Sequence, residues 1–195
     1  TKWAACCSLY EPNEQFNELY NGLDVQNLTK KRSIQTINLN NFVNEYGIEK
    51  VDFIKIDVQG AELDVFKGGT NILSDVLAIV SEVEFVPLYI DQPLFGDVSG
   101  FLTDYNLMFH KFLTLQGTAL KPFLINNDIN ASSQIMWSDA MFIRNVDQIN
   151  NLNEDQLLKL SLLARIYGSP DLTLFCLATI DKRKGTKLVE TFLNQ

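Results

Sequence analysis

The stretch that most constrains this chain runs from Val51 to Phe85. Val51-Asp-Phe-Ile-Lys-Ile-Asp57-Val58 is short, β-branched and apolar at most positions, which predicts a strand buried on both faces of a parallel sheet. Gly60 supplies a turn, Leu63, Phe66 and Leu73 mark a helix, and Val76 to Phe85 reads as the next strand. Strand, glycine turn, helix, strand is a βαβ unit, which packs with a right-handed crossover. The chain is therefore expected to be α/β.

The flanks add elements. Pro12 makes Glu11 extended, and a short helix through Phe16, Leu19 and Tyr20 is expected to end at Gly22. Ile34, Thr36 and Ile37–Leu39 predict a strand, after which Asn40 or Asn41 caps a helix through Phe42, Val43 and Tyr46 that stops at Gly47. Pro87 and Pro93 place 86–95 in a loop. Asp97 opens a helix whose apolar face is Val98, Phe101, Leu102 and Tyr105. Strands are expected over Leu107–Leu113 and Gln134–Arg144, paired antiparallel. Leu152–Tyr167, ended by Gly168 and Pro170, reads as a helix, and so does Leu172–Ile180. We expect an α/β domain over 1–150 and a helical extension packed on it over 151–195.

Charge narrows the partners. A formal charge of −8 gives no broad attraction to nucleic acid or anionic membrane. The basic group Lys182, Arg183, Lys184 and Lys187 reads as a solvated end. Cys6, Cys7 and Cys176 are odd in number and show no CxxC spacing, which points to a reducing, cytoplasmic setting without structural zinc. Asn27 and Asn130 head glycosylation sequons of a kind that chance supplies. No apolar run has the length of a membrane span. Thr1 in place of Met suggests a piece of a longer protein.

Lys55-Ile-Asp57-Val-Gln59-Gly60-Ala-Glu62, followed by Val65-Phe-Lys-Gly68, resembles the signature of the FkbM family of methyltransferases, usually KIDVEGAE and then a leucine or phenylalanine before KG. Val83-Glu84-Phe-Val-Pro-Leu-Tyr89, Gln92-Pro-Leu-Phe95, Phe101-Leu102 and Gln134-Ile-Met-Trp137-Ser-Asp139-Ala-Met-Phe142 resemble later family segments in the same order, and Tyr167-Gly168 through Asp171-Leu172 resembles the tail of one bacterial branch. The resemblance covers the chain from about Ser33 onward. It implies a class I methyltransferase fold, a Rossmann-like, mostly parallel sheet with an antiparallel last strand. It implies S-adenosylmethionine as cofactor and a small-molecule acceptor, with sugars and other hydroxylated metabolites as the class. In that family a glycine-rich loop after the first strand carries the cofactor and an acid ending the second strand holds its ribose. The ten glycines here include no GxGxG arrangement. Ser8–Asn13 resembles a segment that the family places after its third strand. The first three strands are thus expected to be missing, and Glu11 is not the ribose acid. The rival reading is a non-catalytic interaction module retaining the family's C-terminal half. A sheet without its first strands would expose an edge and favour homo-oligomers.

Methyl transfer to a hydroxyl needs in-line alignment, negative potential near the sulfonium and a base for the leaving proton. Asp57, a carboxylate closing an apolar strand, is the leading candidate for catalysis and cofactor contact, with helix capping the alternative. Glu84 is the second catalytic candidate. Gln59 and Glu62 are expected beside the cofactor; Gln59 replaces the commonest family residue, glutamate, and keeps its reach without its charge. Glu62 could equally serve as a cap or as a partner for Lys55. Glu82 shares a strand face with Glu84 at period two and, with Tyr89, is assigned to the substrate. Asp57, Glu82 and Glu84 form an oxygen-donor set, but no metal is expected. His110 reads as structural, Trp137 as core, and Gly68–Gly69, which follow a helix, as no phosphate cradle.

Overall fold

The computed structural model describes residues 1–194. The βαβ unit is present. Strand β1 (Phe53–Ile56) lies parallel to β2 (Ala78–Glu84), in register from Phe53↔Ala78 to Ile56↔Ser81. Strands β3 (Leu107–Phe112) and β4 (Trp137–Arg144) complete a four-stranded sheet in the order β1-β2-β4-β3. The last strand runs antiparallel to both neighbours and is inserted between β2 and β3.

Alternation along the strands sorts the core into two layers. On one face Ile56, Ile79, Val83, Ala140 and Phe142 meet Leu63 and Phe66 of α3 (Glu62–Lys67), Leu73 of α4 (Thr70–Leu73), and Val98 and Leu102 of α5 (Phe95–Thr103). On the other face Ala78, Val80, Met141 and Ile143 meet α6 (Glu154–Ile166) and α7 (Pro170–Lys184) through Leu157, Leu160, Ala164, Leu172, Cys176 and Ile180. Helix α6 starts in a capping box: Asn153 accepts the Gln156 N–H, and the Gln156 side chain accepts the Asn153 N–H. A third apolar group, Tyr20, Leu23, Val86, Leu88, Tyr89 and Met136, ties the N-terminal segment, including α1 (Glu14–Asn17), to the carboxyl end of β2.

Several expectations are corrected. Ile34–Leu39 forms no strand. Ile34 and Ile37 are exposed, no neighbouring strand pairs with them, and the segment leads into α2 (Leu39–Glu45). Asn38, rather than Asn40 or Asn41, caps that helix by accepting the Asn41 N–H. The helix read through Leu73 is broken at Gly68–Gly69 into α3 and α4, and Asn38 and Leu39 pack where a Cβ on either glycine would stand. The helix assigned to Asp97 starts earlier, at Phe95, and the Asp97 carboxylate accepts the Leu94 N–H. Strand β1 is not buried on both faces: it lies at the sheet edge, and Lys55 is exposed. The basic C-terminal group is partly engaged. Arg183 donates to the carbonyls of Asn150 and Leu152, Lys184 approaches Glu154, and Asp181 accepts the first N–H groups of α8 (Leu188–Leu193).

Candidate functional site

The α6–α7 layer covers the sheet face at Ala78 and Val80. Farther along that face Glu82 and Glu84 enter a cleft of about 450 Å³. Its floor is the carboxyl end of β1 and β2 with the start of β4, contributing Asp57, Gln59, Glu82, Glu84, Trp137 and Asp139. Its walls are the N-terminal segment, with Trp3, Cys6, Asn21 and Gln26, and the β3–β4 connection, with Gln116, Gly117, Thr118 and Asn130.

The turn after β1 is held from several sides. Gln59 has φ +56° and Gly60 φ +92°, so the chain reverses through two left-handed residues. A Cβ on Gly60 would stand 3.1 Å from Gln92 Nε2 and 3.4 Å from the Tyr89 ring. The Val58 N–H donates to Glu62 Oε1 at 2.8 Å, and the N–H groups of Gly60 and of Glu62 itself also face that carboxyl. The Ser8 hydroxyl donates to the Gln59 carbonyl at 2.6 Å. The Tyr89 hydroxyl is shared between the Cys6 carbonyl at 3.0 Å and Gln59 Oε1 at 3.2 Å.

So fixed, the Gln59 amide donates from Nε2 to Asp57 Oδ1 at 2.8 Å and to Glu82 Oε2 at 2.6 Å. Carboxylate oxygens accept, and an amide nitrogen brings two protons, so glutamine bridges a pair that glutamate would repel. Burial, with Asp57 and Glu84 close by, pushes the Glu82 carboxyl up to about 9. Burial, with Glu62 and Asp57 behind it, pushes Glu84 up to about 8. Glu84 is 3% exposed, and among the described residues no other residue donates a hydrogen bond to its carboxyl. Glu62 is raised as well, chiefly by burial. Near neutral pH Glu82 and Glu84 are thus mostly protonated, and each can donate as well as accept. An oxygen from each of Asp57, Glu62 and Glu82 lies within 4.8 Å of the others, a spacing that oxygen-ligated cations use, although the Gln59 amide already bonds two of them.

The sequence candidates therefore divide. Asp57, Gln59, Glu82 and Glu84 come together in the cleft. Glu62 does not line it: the side chain is 2% exposed and braces the 58–60 turn, and Lys55 pairs instead with Asp139, 3.5 Å away. Tyr89 does not cover an acceptor: it is fully buried and positions Gln59. Trp137 was expected in the core; it is half-buried and also borders the cleft. Sequence reasoning missed Asp139, Asn21, Gln116 and Thr118. The pairing of Glu82 with Asp139 and of Glu84 with Trp137 brings the last strand's contribution, and only the register reveals it. His110 lies elsewhere, with Nε2 2.8 Å from the Ser169 hydroxyl, and burial lowers its pKa.

Comparison with known proteins points one way. The model of the methyltransferase FkbM domain matches residues 6–107, which include Asp57, Gln59, Glu82 and Glu84. The 2-O-methyltransferase NoeI of Sinorhizobium fredii (strain NBRC 101917 / NGR234) is 40% identical over 60 residues. Those residues are 31% of this chain and 25% of NoeI, so the similarity spans about a quarter of that relative's length. No solved structure matches the chain. With the family match covering just over half of its residues, the chain belongs to the FkbM methyltransferase domain family.

Proposed function

We propose that this chain forms the acceptor-facing part of an S-adenosylmethionine-dependent O-methyltransferase that acts on a hydroxyl of a sugar or another small hydroxylated molecule. The observation that carries this reading is the Asp57–Gln59–Glu82 cluster, with Glu84 beside it, in a cleft at the carboxyl ends of two parallel strands. The sheet order, with its reversed last strand inserted beside β2, supports a class I methyltransferase fold. The name of NoeI, a 2-O-methyltransferase, supports an oxygen as the accepting atom. Three free cysteines support a reducing, cytoplasmic setting. No helix among the described residues is long and apolar enough to cross a membrane.

The residues present fit the cofactor in part. Clustered carboxyls suit its cationic centre, which would favour their ionised forms. A glycine-rich cradle for the rest of the cofactor is not found among these residues. The chain's own contribution is then to orient the acceptor, exclude water and take its proton. Asp57, the exposed member of the cluster at the end of β1, is assigned the proton. Gln59 holds that carboxylate in place, and Glu84 hydrogen-bonds the acceptor. Transfer of a labelled methyl group from S-adenosylmethionine to a sugar panel, using the longest natural form of the protein, tests the reading. Asp57→Asn is expected to lower turnover at least about 100-fold, in the range of a lost general base. Wild-type turnover by Asp57→Asn would remove Asp57 from the reaction.

A further inference from the structure

We propose that the cleft is selective by charge and accepts neutral or amine-bearing sugars, stacked on Trp137, while excluding phosphorylated and carboxylated ones. The inference rests on the reading of this cleft as the acceptor site, and it names the acceptor's charge class and a platform for it. Three independent features carry it. First, the lining contains Asp57, Glu82, Glu84 and Asp139 but no lysine, arginine or histidine. An anion entering it would lose hydration without gaining a counter-charge. Lys55, on the adjacent edge strand, is turned to Asp139 at 3.5 Å and does not line the cleft. Second, Glu84 is 3% exposed, borders the cleft and receives no hydrogen bond from another residue among those described. A buried polar group of this kind calls for a partner, and a sugar hydroxyl or ammonium supplies one. Third, Trp137 borders the same cavity while packing on the group that contains Leu88 and Met136. A half-buried indole beside hydrogen-bonding carboxyls matches a sugar ring, which is apolar on its C–H face and polar around its rim.

Burial also leaves Glu82 and Glu84 mostly protonated near neutral pH, so a neutral polyol finds both donors and acceptors there. An ammonium group would draw the same carboxyls into their ionised forms. Discrimination between a neutral sugar and its phosphate is then built into the walls without any steric filter.

The test is tryptophan fluorescence of the wild-type chain, whose two tryptophans, Trp3 and Trp137, both border the cleft. It is titrated with methyl glucoside, glucosamine, glucuronate and glucose 6-phosphate. Saturable quenching by the first two, at least 10-fold tighter than by the anions, is expected. Trp137→Ala should abolish sugar binding measured by ligand-observed NMR, and Trp137→Phe should retain part of it. Equal or tighter binding of the anions would overturn the proposal, and so would unchanged binding by a folded Trp137→Ala protein or no saturable binding of any sugar. Failure of methyl transfer to a sugar that binds as expected would count against the methyltransferase reading and leave the charge selectivity standing. Methylation of an anionic sugar in preference to its neutral form would do the reverse.

Discussion

Glu82 and Gln59 decide the behaviour of the site residue by residue. The folded state keeps Glu82 protonated up to about 9, against an ordinary value of 4.5. Between those limits the folded chain holds more protons than the unfolded one, so stability falls as pH rises through the window. Glu84, raised to about 8, acts in the same direction. Glu82→Gln fixes the neutral form. Its melting temperature should exceed that of wild type at pH 8–9 and converge with it near pH 4.5, as a thermal-melt series across pH would show. Gln59→Glu makes the opposite change by placing a third carboxyl where an amide now donates to two. It is expected to cost about 1–3 kcal/mol at pH 8 and clearly less at pH 5, measured by urea denaturation. Equal losses at the two pH values would mean that the added carboxylate's charge is not what matters. Much at this scale is legible from sequence. Asp57, Glu82 and Glu84 are carboxylates on apolar strands, and a costly residue on such a strand marks a site. Glu62 and Tyr89 are less legible, because both lie next to the site in sequence while their side chains turn into the protein, to the 58–60 turn and to Gln59.

Among the elements, the β3–β4 connection shapes the cleft most directly. It pairs with the start of β4 at Gln116↔Trp137 and carries Gly117 into the wall. A Cβ on Gly117 would stand 2.1 Å from the Gln134 carbonyl oxygen, a distance only backbone movement relieves. Gly117→Ala is therefore expected to destabilise the chain by about 1–3 kcal/mol and to weaken sugar binding, both measurable by thermal melt and fluorescence titration. Unchanged binding in a protein that melts normally would show that this wall is not part of the site. The βαβ unit and the antiparallel hairpin of β3 and β4 were readable from period and punctuation. Ile34–Leu39 was not, because a β-branched run becomes a strand only when an edge accepts it, and local pattern carries no information on pairing. For the same reason Asp139 escaped notice: its role depends on a register with β2 that links residues 57 positions apart.

For the whole molecule, the tail and the sheet share a single apolar layer. Leu160 is fully buried in it with Val80, Met141 and Cys176. Leu160→Ala should cost about 2–5 kcal/mol and lower one cooperative transition seen alike by near- and far-ultraviolet circular dichroism. Two separated transitions would make 151–195 an independent unit. The shared layer also bears on the site, because α6 and α7 cover the sheet up to the point where Glu82 enters the cleft. The fold class and the helical tail were foreseeable from hydrophobic pattern, and the family from the Lys55–Glu62 motif. The two-walled cleft was not, since its sides come from residues 3–26 and 116–130, which meet only in three dimensions. The central claim is that these residues serve methyl transfer from S-adenosylmethionine. The most direct measurement is calorimetric binding of S-adenosylmethionine to the 195-residue chain and to the longest natural form of the protein. The account predicts saturable binding by the longest form, weakened by Asp57→Asn. Absence of binding by that form, with the protein folded, would contradict it.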